Sequence, residues 1–87
     1  MPFKVIVKKE KKVFEKLPLH IRKALLILID ELIEEGPIQA EWYNFSELGK
    51  DKYHCHLARS WVACWENKKD SLLIEVYYAG SRESAPY

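Results

Sequence analysis

The chain has 87 residues, 48% of them hydrophobic and 31% charged, with a formal net charge of +1. One small core suits that length, so residues 1–87 are expected to form a single domain, and the composition excludes a disordered chain or a collagen-like repeat. The longest apolar run, Ala24–Ile29, is far short of the ~20 residues of a membrane span, and Met1–Lys4 opens no signal peptide, so a cytoplasmic protein without membrane contact is expected.

Phe3–Val7 is short and β-branched, with Phe3, Val5 and Val7 alternating, which predicts a strand. From Lys8 the period changes: Val13, Phe14 and Leu17 fall at helical spacing and predict a short amphipathic helix stopped by Pro18. Leu19–Glu35 predicts a longer helix with Ile21, Leu25, Leu28 and Leu32 on one stripe. Leu26, Ile27, Ile29 and Ile33 widen that stripe, so burial on more than one side is expected. Gly36-Pro37 ends the helix. Ile38–Asp51 reads as a connection carrying Trp42, Tyr43 and Phe45, whose rings either form a surface patch or cover the core edge. Tyr53–Ala58, Trp61–Glu66 and Ser71–Ala79 then predict three strands, the second of them central, and Gly80–Tyr87 a tail that Gly80 lets break away. The fold class expected is α+β in the order β-α-α-β-β-β. A helical hairpin packs on one face of a small, mostly antiparallel twisted sheet.

Charge is unevenly spread. Residues 1–23 hold Lys4, Lys8, Lys9, Lys11, Lys12, Lys16, Arg22 and Lys23 against Glu10 and Glu15, whereas residues 24–49 hold six acidic residues and no Lys or Arg. Such a chain suits a polyanion on one side and a basic partner on another, though solvated helix faces give the same pattern. Cys55 and Cys64 each lie in an apolar stretch and read as buried thiols rather than a disulfide.

Alternation in the Tyr53–Ala58 strand puts His54 and His56 on one face and Tyr53, Cys55 and Leu57 on the other. With the apolar set against the helices, the histidines belong to the open face, with Lys50 and Lys52 before them and Arg59 after. Imidazoles exchange protons near neutral pH, and cations stabilise a phosphorane-like transition state without a metal. Ordinary surface histidines flanked by lysines are the other reading. Consecutive strand residues point to opposite faces, so His-Cys-His offers at most two ligands to one metal, and no metal site or cofactor is expected. A tail folded back over the sheet brings Arg82, with its phosphate-binding fork, and Tyr87 to the histidines.

The segments "LGKDKYHCHL", "WVACWE" and "IEVYYAGSRESAPY", in this order and over almost the whole length, resemble the RelE/ParE superfamily of toxin–antitoxin toxins. The resemblance implies a RelE-like fold and a cognate antitoxin as partner. For the RelE branch it implies metal-independent cleavage of mRNA on the ribosome, in which the ribose 2′-hydroxyl attacks the adjacent phosphate. It implies His54, His56, Arg82 and Tyr87 as catalytic and Lys50, Lys52 and Arg59 as substrate-binding. Arg59 is the guanidinium nearest the central strand, where many members carry one. A homodimer and an antitoxin-bound hetero-oligomer are both compatible with the sequence. Two further readings stand beside this one: a catalytically decayed RelE-like interaction module, and a ParE-like gyrase inhibitor, against which the histidine pair argues.

Overall fold

A computed structural model describes residues 2–8, 15–68 and 71–87. Five strands, β1 (Lys4–Val7), β2 (Ser46–Gly49), β3 (Lys52–Ala58), β4 (Trp61–Asn67) and β5 (Leu73–Ser81), form one sheet in the order β1-β5-β4-β3-β2. β1 runs parallel to β5 and every other pair is antiparallel. Helix α1 (Leu19–Glu35) lies across one face. The chain is therefore α+β with β4 in the middle of the sheet, as its nearly all-apolar sequence predicts. Apart from a helical position at Glu15 and buried Leu17, the first expected helix falls outside the described residues.

β2 is an element that the sequence reading missed. Ser-Glu-Leu-Gly carries no β-branched or aromatic residue, so propensity gives no strand signal. It becomes a strand because β3 offers an unpaired edge: Ser46 pairs with His54 and Glu47 with Tyr53 before a bulge at Glu47/Gly49. Asp51, at φ 63°, makes the turn back.

α1 buries one stripe only. Ile21, Leu25, Leu28 and Leu32 have no exposed surface, each contributing ~1.5–3 kcal/mol as an upper bound. Leu26 and Ile27, expected on a second buried side, are 53% and 54% exposed. The helix rests on a single sheet face, and a run of six apolar residues covers more of its circumference than one sheet can take up. Beyond Glu35 the connection is tied down by side chains. Buried Gln39 donates from Nε2 to the Gly36 and Glu31 carbonyls, and Trp42 Nε1–H donates to Glu31 Oε1 at 3.0 Å. Trp42 and Phe45 cover the core edge, while Tyr43 stays exposed.

Gly36 takes φ 91°, its N–H donates to the Leu32 carbonyl, and an added Cβ would stand 2.7 Å from Phe3 Cε1. Phe3 N–H in turn donates to the Ile33 carbonyl at 2.7 Å, so helix end and first strand are locked together here. Gly36→Ala combines a left-handed backbone with overpacking and is expected to cost about 1–3 kcal/mol. A urea titration with unchanged slope checks this.

Candidate active site

The face of the sheet away from α1 carries the chemistry, and two register features build it. On β3, His54 and His56 face away from the core residues Tyr53 and Cys55, as strand alternation requires. His54 pairs across to Cys64 and His56 to Val62. On β5 a bulge changes the phase. Trp65 pairs with Val76 but Cys64 pairs with Tyr78, leaving Tyr77 as the extra residue. Upstream of it Ile74 and Val76 face the core, and downstream Ala79 does. The bulge therefore moves Tyr78 and Gly80 onto the face of the histidines.

Gly80 does not break the strand, as the tail was expected to do there: β5 continues through Ser81. Glycine serves another purpose at this position. A Cβ would lie 2.8 Å from the Tyr78 hydroxyl, which donates to the Ser81 carbonyl at 2.6 Å. From Ser81 the chain turns through a 3₁₀ turn (Arg82–Ser84), anchored by the Arg82 N–H donating to the Ser60 carbonyl at 2.8 Å. The last residues return over the sheet and set the Tyr87 ring 4.6 Å from His54, centroid to centroid.

The result is an open cleft of about 630 Å³, lined by Asn44, Phe45, Ser46, His54, His56, Arg82 and Tyr87. That volume is in the range of small-molecule sites. Among the described residues no three of His, Cys, Asp or Glu gather as a metal donor set. None of their helices is long and apolar enough to cross a membrane.

The histidines are not the solvent-exposed pair that an open face suggests. Each is only 7% exposed. Tyr43 packs edge-on to His56 at 5.4 Å, and its carbonyl accepts the His56 backbone N–H at 2.8 Å. Ser46 Oγ lies 2.9 Å from His54 Nδ1. The two imidazole centroids are 5.8 Å apart, and His56 Nδ1 is buried without a partner. Burial pushes the His54 pKa below the usual imidazole value and the charge of His56 adds to this, against an opposing contribution from the Ser46 backbone. A neutral imidazole at neutral pH follows. Burial holds the Tyr87 phenol above its ordinary value, Cys64 adds to this, and Arg82 opposes it.

Lys50, Lys52 and Arg59 do not line the cleft. Lys52 is exposed one pleat from His54 on the same face, ~7 Å along the strand. Lys50 lies beyond it in the β2–β3 turn, and Arg59 is exposed in the β3–β4 turn beside Ser60. Arg82 is thus the one cation in the lining. Asn44 and Ser46 were absent from the sequence-based set. Asn44 sits at φ 52°, a left-handed position that asparagine tolerates, and carries no sequence motif.

Beneath the cleft, Cys64 and Tyr77 are each pushed up to about 12, with burial the leading cause, and Cys55 on the core side likewise reaches about 12. These groups are protonated when folded and ionise earlier when unfolded. Their contribution is complete below pH ~9 and is lost as pH rises from there toward 12. The urea midpoint is therefore expected to fall from pH 8.5 to pH 10.5, and to fall less in Cys55→Ala. A fall of the same size in that variant would contradict the assignment.

No protein-family profile and no curated protein matches this chain by sequence. Solved structures do match. A RelE from the archaeal RelE–RelB complex of Pyrococcus horikoshii superposes with TM-score 0.75 at 19% identity over 98% of this chain and 100% of that one. An arginine-to-alanine double mutant of E. coli toxin RelE in the free state gives 0.74 at 20% over 98% and 88%. A metal-bound toxin from Helicobacter pylori gives 0.70 at 21% over 93% and 96%. The chain has the RelE fold over nearly its full length.

Proposed function

We propose that this chain is the toxin of a toxin–antitoxin pair and cuts mRNA on the ribosome without a metal. The observation that carries the reading is the convergence of two imidazoles, a guanidinium and a phenol on one nucleotide-sized cleft of a RelE fold. His54, neutral at working pH, takes the proton of a ribose 2′-hydroxyl. The 2′-oxygen forms its bond to the adjacent phosphorus as the bond from phosphorus to the 5′-oxygen breaks. Arg82 meets the phosphoryl oxygens with its fork and neutralises the charge that develops there. Tyr87 keeps its proton at neutral pH and hands it to the departing 5′-oxygen. The products are a 2′,3′-cyclic phosphate and a 5′-hydroxyl, and His54 and Tyr87 exchange protons back through solvent. Lys50, Lys52 and Arg59, exposed around the cleft, hold the RNA backbone outside the reacting phosphate, so binding weakens steeply with salt. Lys8, the residue after β1, does the same. Lys9, Lys11 and Lys12 are outside the described residues.

The partner is an antitoxin, as in the RelE–RelB complex of Pyrococcus horikoshii and the RelBE2 toxin–antitoxin complex of Mycobacterium tuberculosis. Expression of the chain alone tests the function: growth arrest with transcripts ending in cyclic phosphate is expected. A second reading, a RelE-like binding module without catalysis, is favoured by the single cation in the cleft and by the exposed apolar Leu19, Leu26 and Ile27 on α1. Harmless accumulation with intact transcripts would select it, and DNA damage with intact RNA would select gyrase inhibition.

A further inference from the structure

Tyr43 and Phe45 stand two residues apart just before β2 and send their rings to opposite sides of the sheet. Were the chain extended here, as it is from Ser46 onward, the two would share a face. The Phe45 ring instead packs with Tyr53 at 5.9 Å and Trp65 at 6.1 Å on the core side. The Tyr43 ring meets His56 at 5.4 Å on the face of the cleft. Asn44 between them stands at φ 52°, a left-handed position outside strand geometry, and that residue changes the phase. Backbone pairing then holds Tyr43 in place, its carbonyl accepting the His56 N–H at 2.8 Å. The ring so placed is held but not covered. Its contact with His56 is edge-on, the planes 85° apart, so His56 takes up at most one face, and the residue is 61% exposed.

Four rings follow one another along the cleft in the order Tyr43, His56, His54, Tyr87, at centroid spacings of 5.4, 5.8 and 4.6 Å. The rings at the two ends are exposed. With His54 at the attacking 2′-hydroxyl and Tyr87 at the departing 5′-oxygen, the nucleotide that supplies the 2′-hydroxyl extends from His54 away from Tyr87, past His56 and toward Tyr43. We propose that Tyr43 is a nucleobase platform: its open face stacks on the base of that nucleotide, orients it, and favours a purine there. The proposal rests on the ribonuclease reading of the cleft and adds to it a determinant of substrate choice. A stack of this kind takes an unpaired base, so the RNA is single-stranded at this point. Every base has a π-face, and a purine offers the larger one, so the preference follows stacking strength and not hydrogen bonding.

Cleavage of a short mRNA bound on ribosomes and cut at one bond, and of the same mRNA with an abasic residue on the 5′ side of that bond, tests this. Tyr43→Ala is expected to raise KM on the intact mRNA by roughly 5- to 150-fold, the usual worth of one base–aromatic stack, with kcat within about twofold. On the abasic mRNA the unsubstituted protein and Tyr43→Ala should have the same KM. Tyr43→Phe and Tyr43→Trp should restore both binding and the purine preference. Tyr43→Leu, which still covers His56 but has no π-face, should restore neither. The same KM ratio on the two mRNAs, or full rescue by Tyr43→Leu, overturns the platform and leaves Tyr43 as packing for His56. Failure of the unsubstituted protein to cut the intact mRNA is a different result: it overturns the ribonuclease reading, and the platform with it.

Discussion

His54→Ala and Arg82→Ala are each expected to lower kcat/KM for RNA cleavage by about 10²- to 10⁴-fold, the usual worth of a positioned base or of a group meeting transition-state charge. Arg82 is exposed and makes no side-chain hydrogen bond among the described residues, so its removal should leave the melting temperature unchanged. A loss of activity in Arg82→Ala then reads as lost chemistry. Removing a base that works only when neutral also fixes the acid limb of the pH profile. Because the His54 pKa is depressed, kcat/KM should persist below pH 6.5 and fall only as pH drops through the lowered folded value. The stability held by neutral His54 is complete above pH ~6.5 and lost through that same window, so circular dichroism must accompany the kinetics. His56→Ala removes a like-charged neighbour, and the acid limb should move toward higher pH. Variants that cut RNA as well as the parent would leave the cleft without a catalytic role.

The convergence around the cleft is legible in the sequence only where local rules decide it. Period-2 alternation is enough to put His54 and His56 on one face, because a strand has no other choice once Cys55 is in the core. Their burial is not legible, since it comes from Tyr43 and Tyr87, which are distant in sequence and arrive through the connection and the tail. Ser46 could not be found either: a lone serine in a polar stretch has meaning only once β2 is seen to pair with β3. Lys50, Lys52 and Arg59 illustrate the opposite error. Being next to a site in sequence places them near it, yet strand pitch and turn direction keep all three out of the lining.

For the fold, the sequence is informative in proportion to how strongly each segment must be buried. The Ile21–Leu25–Leu28–Leu32 stripe and the apolar run of β4 are unambiguous: the stripe and Val62, Ala63, Cys64 and Trp65 have no exposed surface, and Trp61 alone of that run is partly buried. The exposed Leu26 and Ile27 show the limit of that reasoning, for hydrophobicity states what a residue tolerates and the geometry of a single sheet face decides how many such residues it covers. The β5 bulge is likewise invisible in "IEVYYAG". Only the need to keep Ala79 in the core and Tyr78 outside it reveals where the extra residue sits.

Trp65→Ala is expected to cost about 3–5 kcal/mol, the largest stability loss of any single substitution considered. Trp65 lies on the middle strand with no exposed surface, its ring part of the core cluster and beside Tyr53, 6.3 Å away, and Phe45, 6.1 Å away. Its Nε1–H donates to the Pro37 carbonyl at 3.0 Å, so the same side chain fills the core and fastens the connection that follows α1. A domain of this size has only ~0.05–0.15 kcal/mol of stability per residue, which puts the cost at a large part of the whole. Trp65→Phe keeps most of the ring and gives up the donor, and it should fall between the two. If Trp65→Ala shifts the urea midpoint by no more than an exposed substitution such as Leu26→Ala, the core is not organised around this ring. The loss should also reach the cleft. Phe45 lines it, and Cys64, next to Trp65 in β4, is the cross-strand partner of His54. A variant held folded at low temperature is therefore expected to lose the His54–Tyr87 contact before the sheet itself melts.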